Sequence, residues 1–313
     1  MIFPMQRREV IAVAASVAAL ALLAGLPLAD DGFWLALAIT IASYVAMATA
    51  WALFSGPTNY VSLATAAFFG SGAYVVSALA ETAPWPVVLV AAALVGALLA
   101  LATGLATLRL SGVYFVIFSF GLAELIRQLV TYYQTQVTGS VGRYIFVTIS
   151  ASEIYWQLLG LCAIALFTGW AIQRSRLGFA LRVIGDDETV AAHSGIDTAR
   201  VKVLLFCISG ALIALVGAVM APRFTYIEPQ IAYNPMVSFQ VVIMALLGGS
   251  KRLWGPLVGV IPFVLLHEWI AGRFPNHTHL LLGMVFLLVV YFVPQGVSGW
   301  LEKAWRRIRG ESA

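Results

Sequence analysis

The sequence predicts an all-α, polytopic transmembrane bundle of about ten spans, a single domain over residues 1–313 with both termini cytoplasmic. Three observations carry that expectation. Charged residues make up 10% of the chain and hydrophobic ones 61%, whereas soluble domains carry about 25% charge. Charge-free runs cover 10–29, 32–80, 82–108, 154–173, 203–222, 229–250 and 274–301, and a spanning helix needs roughly 20 apolar residues. These runs are continuous and rich in Ala and Leu, without the period-two alternation of a membrane β-barrel.

In chain order, the spans fall near 10–28, 33–54, 60–80, 86–108, 113–132, 154–173, 200–221, 236–249, 255–271 and 278–295. Arg7 and Arg8 before the first run resemble a secretory signal, but the run is long and Pro27-Leu28-Ala29 is a poor cleavage site, so an uncleaved span is expected. Ten spans place Arg7, Arg8, Arg109, Arg174, Arg176, Arg182, Arg200, Lys202, Lys251, Arg252, Lys303, Arg306, Arg307 and Arg309 on one side. Only Arg143, Arg223 and Arg273 fall on the other. Basic loops stay in the cytoplasm, so the first side is inside. That orientation also accounts for the basic pI without any nucleic-acid partner. The C-terminal 302–313 is a basic surface anchor, and Trp34, Trp85, Trp156, Trp170 and Trp254 sit near span ends as interface anchors.

Two membrane segments have unusual composition. Residues 55–80 are poor in side-chain bulk, with Gly70 and Gly72 beside Ser62, Ala64, Thr65 and Ala73. A second short run ends at Gly248-Gly249 and resumes at Gly255-Pro256. Small residues let helix backbones approach closely, and paired interrupted segments point to a transporter's pathway. Both readings of these glycines stay open. Glu124 and Arg127 lie three residues apart on one helical face, either as a polar wall of a transport route with Ser62 and Thr65, or as a mutually neutralised pair. Cys162 and Cys207 fall within spans and read as small apolar residues.

Enzyme chemistry finds no support. No G-x-x-x-x-G-K-[S/T] phosphate loop, G-x-S-x-G elbow or converging His/Cys/Asp/Glu metal set occurs. The chain is expected to carry no cofactor or metal and not to hydrolyse ATP by itself.

The longest polar stretch is 174–202. Residues 177–184 form a short amphipathic run that Gly185 should stop. Asp186 is placed to cap a second helix over about 187–194, with Asp187 and Glu188 at its positive end and Gly195 as a left-handed terminator. Asp197 or Thr198 then caps the next span. Leu181, Val183, Ile184, Val190 and Ala191 would give these helices an apolar surface, either for another protein or for the chain's own bundle.

At this stretch the sequence resembles a known family. Ser175, Gly178, Ala180, Leu181, Arg182, Ile184, Glu188, Ala191, Ala192, Gly195, Ile196 and Lys202 match a pattern of the permease subunits of branched-chain amino-acid ABC transporters, the LivH/LivM family, closer to LivM. Further matches run through Ser62-Leu63, residues 66–70, residues 72–74, residues 108–112, Thr138-Gly139-Ser140, Pro229, Gly248-Gly249, Gly255-Pro256, Gly259 and Pro294-Gln295-Gly296. Departures are Gly185-Asp186-Asp187 before Glu188, Ser140 directly after Gly139, and Ala64 where glycine is common. The resemblance implies a multi-pass inner-membrane permease that works by alternating access. Its partners would be a second homologous permease, two cytoplasmic ATPase subunits and a periplasmic substrate-binding protein. It implies that 174–200 is a cytoplasmic coupling loop, with Arg182, Glu188, Ala191, Ala192 and Gly195 at the ATPase contact. Similar permeases serve urea, amides and aromatic acids, and an ATP-independent secondary transporter is the rival class.

Overall fold

A computed structural model describes Gly25, Pro27, residues 32–108, Leu110 and residues 112–292. The expected first span, Arg7, Arg8, Arg109, the Pro294-Gln295-Gly296 match and the basic tail lie outside the described residues. Within them the chain is a helical bundle. Its helices are α1 Phe33–Thr58, α2 Thr65–Leu79, α3 Trp85–Thr107, α4 Val113–Tyr133, α5 Ala151–Arg174, α6 Arg176–Asp186, α7 Glu188–His193, α8 Thr198–Met220, α9 Pro229–Ala232, α10 Pro235–Gly248, α11 Gly255–Arg273 and α12 Thr278–Phe292. The protein is a polytopic membrane protein. Among the described residues seven helical segments are long and apolar enough to cross a bilayer. The expected count of about ten is not confirmed, since the first of those spans lies outside these residues. Thr65–Leu79 has 15 residues, about 22 Å of helix against a hydrocarbon core of about 30 Å.

The shortness of α2 is the main departure from the expected 60–80 span. Asn59 adopts a left-handed backbone after Pro57 and ends α1, and residues 59–64 are not helical. Their polar backbone groups are met by side chains. The Trp51 indole donates to the Ser62 carbonyl at 2.8 Å and Leu63 N–H to the Ser119 hydroxyl at 3.0 Å; just beyond the break, Ala66 N–H in the first turn of α2 donates to the Ser238 hydroxyl at 2.8 Å. Irregular backbone within a membrane is tolerated only where protein supplies such partners. Trp51 lies about 10 Å along α1 from its end, so the break folds back beside that helix.

Helix α8 is the centre of the bundle, packed against α1, α2, α3 and α5. A side chain on Gly72 would overlap the Ala214 carbonyl, and one on Gly217 would overlap that of Phe69. The α2–α8 backbones therefore touch, as the small-residue reading anticipated for α2. Phe54, Phe68, Phe115 and Phe206 fill the adjacent core with ring contacts of 4.8–6.3 Å.

Two connections prove ordered. Residues Arg143–Tyr144 pair antiparallel with Tyr226–Ile227, Arg143 facing Ile227 and Tyr144 facing Tyr226. This two-residue ribbon joins what read as separate loops. A capping box of Ser150 and Glu153 opens α5, with the Ser150 N–H donating to Glu153 Oε2 at 2.9 Å.

Candidate functional site

The 174–202 stretch folds as two short helices, α6 and α7, with the cap one residue later than expected. Asp186 is the last residue of α6, while Asp187 takes an extended backbone and its Oδ1 accepts from Thr189 N at 2.7 Å and Val190 N at 3.2 Å. Those bonds hold the Asp187 carboxyl below its ordinary value. Gly185 does not stop α6. It lies inside it, where its carbonyl accepts from Asn59 Nδ2 at 2.9 Å and a Cβ would crowd the Pro57 carbonyl. Gly195 does terminate the second helix, with φ +82 in the left-handed region that disfavours a side chain. Asp197 caps α8 by accepting from Arg200 N at 3.1 Å.

The apolar residues of this stretch divide between two faces. Leu181, Ile184 and Ala191 are buried against the chain's own bundle, while Val190 is 54% exposed. Arg182, Ala192 and Gly195 are exposed beside it, and Arg182 is steadied by the Gly178 carbonyl at 3.3 Å. The predicted site residues thus separate into an anchor, Glu188 with Ala191, and an outer surface, Arg182, Ala192 and Gly195.

Glu188 is the anchor's polar member. Its Oε1 lies 2.5 Å from Lys202 Nζ and its Oε2 accepts from the Tyr60 hydroxyl at 2.9 Å. Lys202 also donates to the Tyr60 hydroxyl at 3.2 Å, and its Nζ sits 4.5 Å from the ring centroid. The Lys202 side chain is 3% exposed and Glu188 is 37% exposed. Burial pushes the Glu188 carboxyl up, but the Lys202 and Tyr60 hydrogen bonds pull further and hold it below its ordinary value. The Tyr60 hydroxyl thus donates to Glu188 and accepts from Lys202. Tyr60 stands in the 59–64 break, and its ring meets Phe115 of α4 edge-on at 5.3 Å. One buried cation therefore ties α7, α8 and the break together.

The expected pathway residues do not all converge. Ser62 and Thr65 are buried at the break, and the Thr65 hydroxyl has no hydrogen-bond partner among the described residues. Glu124 and Arg127 pair on α4, Arg127 Nε donating to Glu124 Oε2 at 2.9 Å and a second guanidinium contact reaching Glu124 Oε1. Gln128 adds a bond to Glu124 at 3.0 Å, so the pair's described side-chain bonds stay on α4. Ser119 and Phe115 link α4 to the break instead. Gly70 packs on the Tyr233 ring. Gly248 meets the Gly255 carbonyl, and Gly249, at φ +95, makes the turn between α10 and α11.

Tyr60, Ser119 and Ser238 escaped the sequence reading as site residues, because hydroxyls in apolar runs give no periodic signal. Lys202 carried one: a cation opening an apolar span must find a partner within the protein.

Relatives of known name bear on this arrangement. The chain is 24% identical over 238 residues to the high-affinity branched-chain amino acid transport system permease protein LivM of Salmonella typhimurium, covering 66% of this chain and 55% of that protein. It is 25% identical over 166 residues to LivH of the same organism, 52% of each chain. It is 29% identical over 104 residues to the ribose import permease protein RbsC of Haemophilus influenzae, 32% of each. The chain thus spans about half the length of the first of these relatives. No solved structure matches it. The family described as branched-chain amino acid transport system / permease component matches residues 33–290, and the chain belongs to that family.

Proposed function

We propose that this chain is the permease subunit of an ATP-driven ABC importer in a bacterial inner membrane. It would move branched-chain or related amino acids from a periplasmic binding protein to the cytoplasm by alternating access. The observation that carries the reading is the Glu188–Lys202–Tyr60 joint. It fastens the predicted coupling loop to the non-helical break before α2, so a push on α7 is delivered to that irregular segment beside α1. The exposed face of Arg182, Val190, Ala192 and Gly195 is the surface offered to an ATPase subunit, and residues 174–200 face the cytoplasm by the positive-inside rule. A second permease, two ATPase subunits and the binding protein complete the assembly, and no cofactor is assigned to this chain.

Substrate class rests on the family, and relatives named for ribose and fructose import make a sugar the competing cargo, beside urea, amides and aromatic acids. Ser62, Thr65, Glu124 and Arg127 are the proposed pathway residues. The test is reconstitution of the four-component transporter in vesicles. Glu188→Arg and Gly195→Leu should each abolish substrate-stimulated ATP hydrolysis while the permease still inserts and unfolds at a measurable temperature. Unchanged stimulation in both variants, or substrate flux through the permease alone, would refute the coupling role.

A further inference from the structure

We infer that the cleft between the 174–186 segment and the bundle is a binding site for an anionic phosphate group, and that a phospholipid headgroup is its occupant. A cavity of about 1120 Å³ lies there, between the end of α1, the end of α5, α6 and the α10–α11 turn. Its lining carries four cations, Arg174, Arg182, Lys251 and Arg252, and one carboxylate, Asp186. The cations come from two separate stretches of chain, the 174–186 segment and the α10–α11 turn, and face one space, which favours an anion there.

The cavity is amphiphilic along its length. It extends from this basic rim to Leu53 and Thr49 on α1 and Gly169 on α5. Thr49 lies about 13 Å along α1 from the helix end, within the depth of the hydrocarbon. A phosphate with an acyl chain matches that sequence of surfaces; a free phosphate uses only the rim. Two tryptophans flank the rim in the manner of interface residues. Arg174 stacks on Trp170 with its guanidinium carbon 4.9 Å from the ring centroid, and Arg252 on Trp254 at 5.7 Å. Two buried polar atoms in the lining residues have no hydrogen-bond partner among the described residues, the Thr49 hydroxyl and the Trp170 indole nitrogen. Basic pockets between helices at the cytoplasmic surface are the setting in which anionic headgroups bind. The inference rests on the proposed orientation, because that places the rim in the anionic leaflet.

The test uses the purified, delipidated full-length chain in neutral detergent, titrated separately with phosphatidylglycerol, phosphatidylcholine and inorganic phosphate. Retained lipid is read by native mass spectrometry and stabilisation by thermal unfolding. Phosphatidylglycerol should be retained and phosphatidylcholine should not. Each interfacial cation contributes roughly a fivefold factor, so Lys251→Gln/Arg252→Gln should weaken retention about thirtyfold and Arg182→Gln about fivefold. Arg200→Gln, at an exposed residue outside the cavity, should change nothing. Inorganic phosphate that stabilises the chain and displaces phosphatidylglycerol would uphold the phosphate site and assign it a soluble source. Equal retention by every variant, or phosphatidylcholine bound as tightly, overturns the inference. No substrate or ATP enters the lipid measurement, so its failure would leave the proposed transport role standing, and a coupling failure would leave the lipid site standing.

Discussion

Glu188–Lys202 and Glu124–Arg127 are both carboxylate–cation pairs in a chain with only 10% charged residues, yet they hold different things together. The first joins residues 14 apart on two helices and recruits Tyr60 from a third segment. Its cation is almost wholly buried, 3% exposed. The second joins residues three apart on one helix, and its side chains are 24% and 34% exposed. A pair within one helix turn fixes no tertiary relation, because the helix already sets its geometry. A pair between elements does, and a buried one makes the loss of either partner costly. The difference separates a joint from a neutralised polar patch.

Breaking the joint should give the largest effects. Glu188→Ala leaves Lys202 buried without its carboxylate. Removing one member of a buried pair costs about 3–5 kcal/mol, and the Tyr60 hydroxyl still accepts from Lys202, so about 3 kcal/mol is expected. Hydrogen exchange across residues 176–196 should accelerate, and protection equal to the parent protein would refute the joint. Lys202→Met should cost less, about 1–2 kcal/mol, since the half-exposed Glu188 can turn to water. Tyr60→Phe removes one hydroxyl and should cost about 1 kcal/mol. The same assay against pH sharpens the point. Because the folded-state Glu188 carboxyl lies below its ordinary 4.5, its contribution is fully present above that value and is lost as pH falls through the folded-state value. Glu188→Gln should flatten that acid limb, and an unaltered limb would place the titration elsewhere.

The contrast also shows what the sequence could and could not reveal. Apolar runs located α1, α3, α4, α5, α8, α10 and α11 because composition alone decides what lipid accepts. Cap residues located α7 to within one residue, since Asp187 and Gly195 act through neighbouring backbone. The break before α2 was invisible: residues 60–64 are as apolar as a span, and the side chains that bond the break and the first turn of α2, Trp51, Ser119 and Ser238, come from three other helices. The division of the polar stretch into a buried and an exposed face was equally hidden. Leu181 and Val190 read alike in sequence, and only the seating of α6 and α7 on the bundle separates them. Glu124 and Arg127 were legible because their spacing is local, and for the same reason the spacing could not say what they face.

The smallest expected change in stability is therefore also the most informative about transport. Removing both charges together, Glu124→Ala/Arg127→Ala, strands no ion and deletes bonds that lie on α4 alone. The cost should stay within about 1 kcal/mol, in line with other half-exposed pairs. Polar groups kept on a spanning helix need a reason to be there, and a pathway wall would supply one. In that case the double variant should lose substrate flux several-fold while its unfolding temperature and its hydrogen exchange at 176–196 match the parent. Flux and stability both unchanged would reduce the pair to local neutralisation. A large fall in stability would show that the pair, like Glu188–Lys202, holds a contact beyond its own helix.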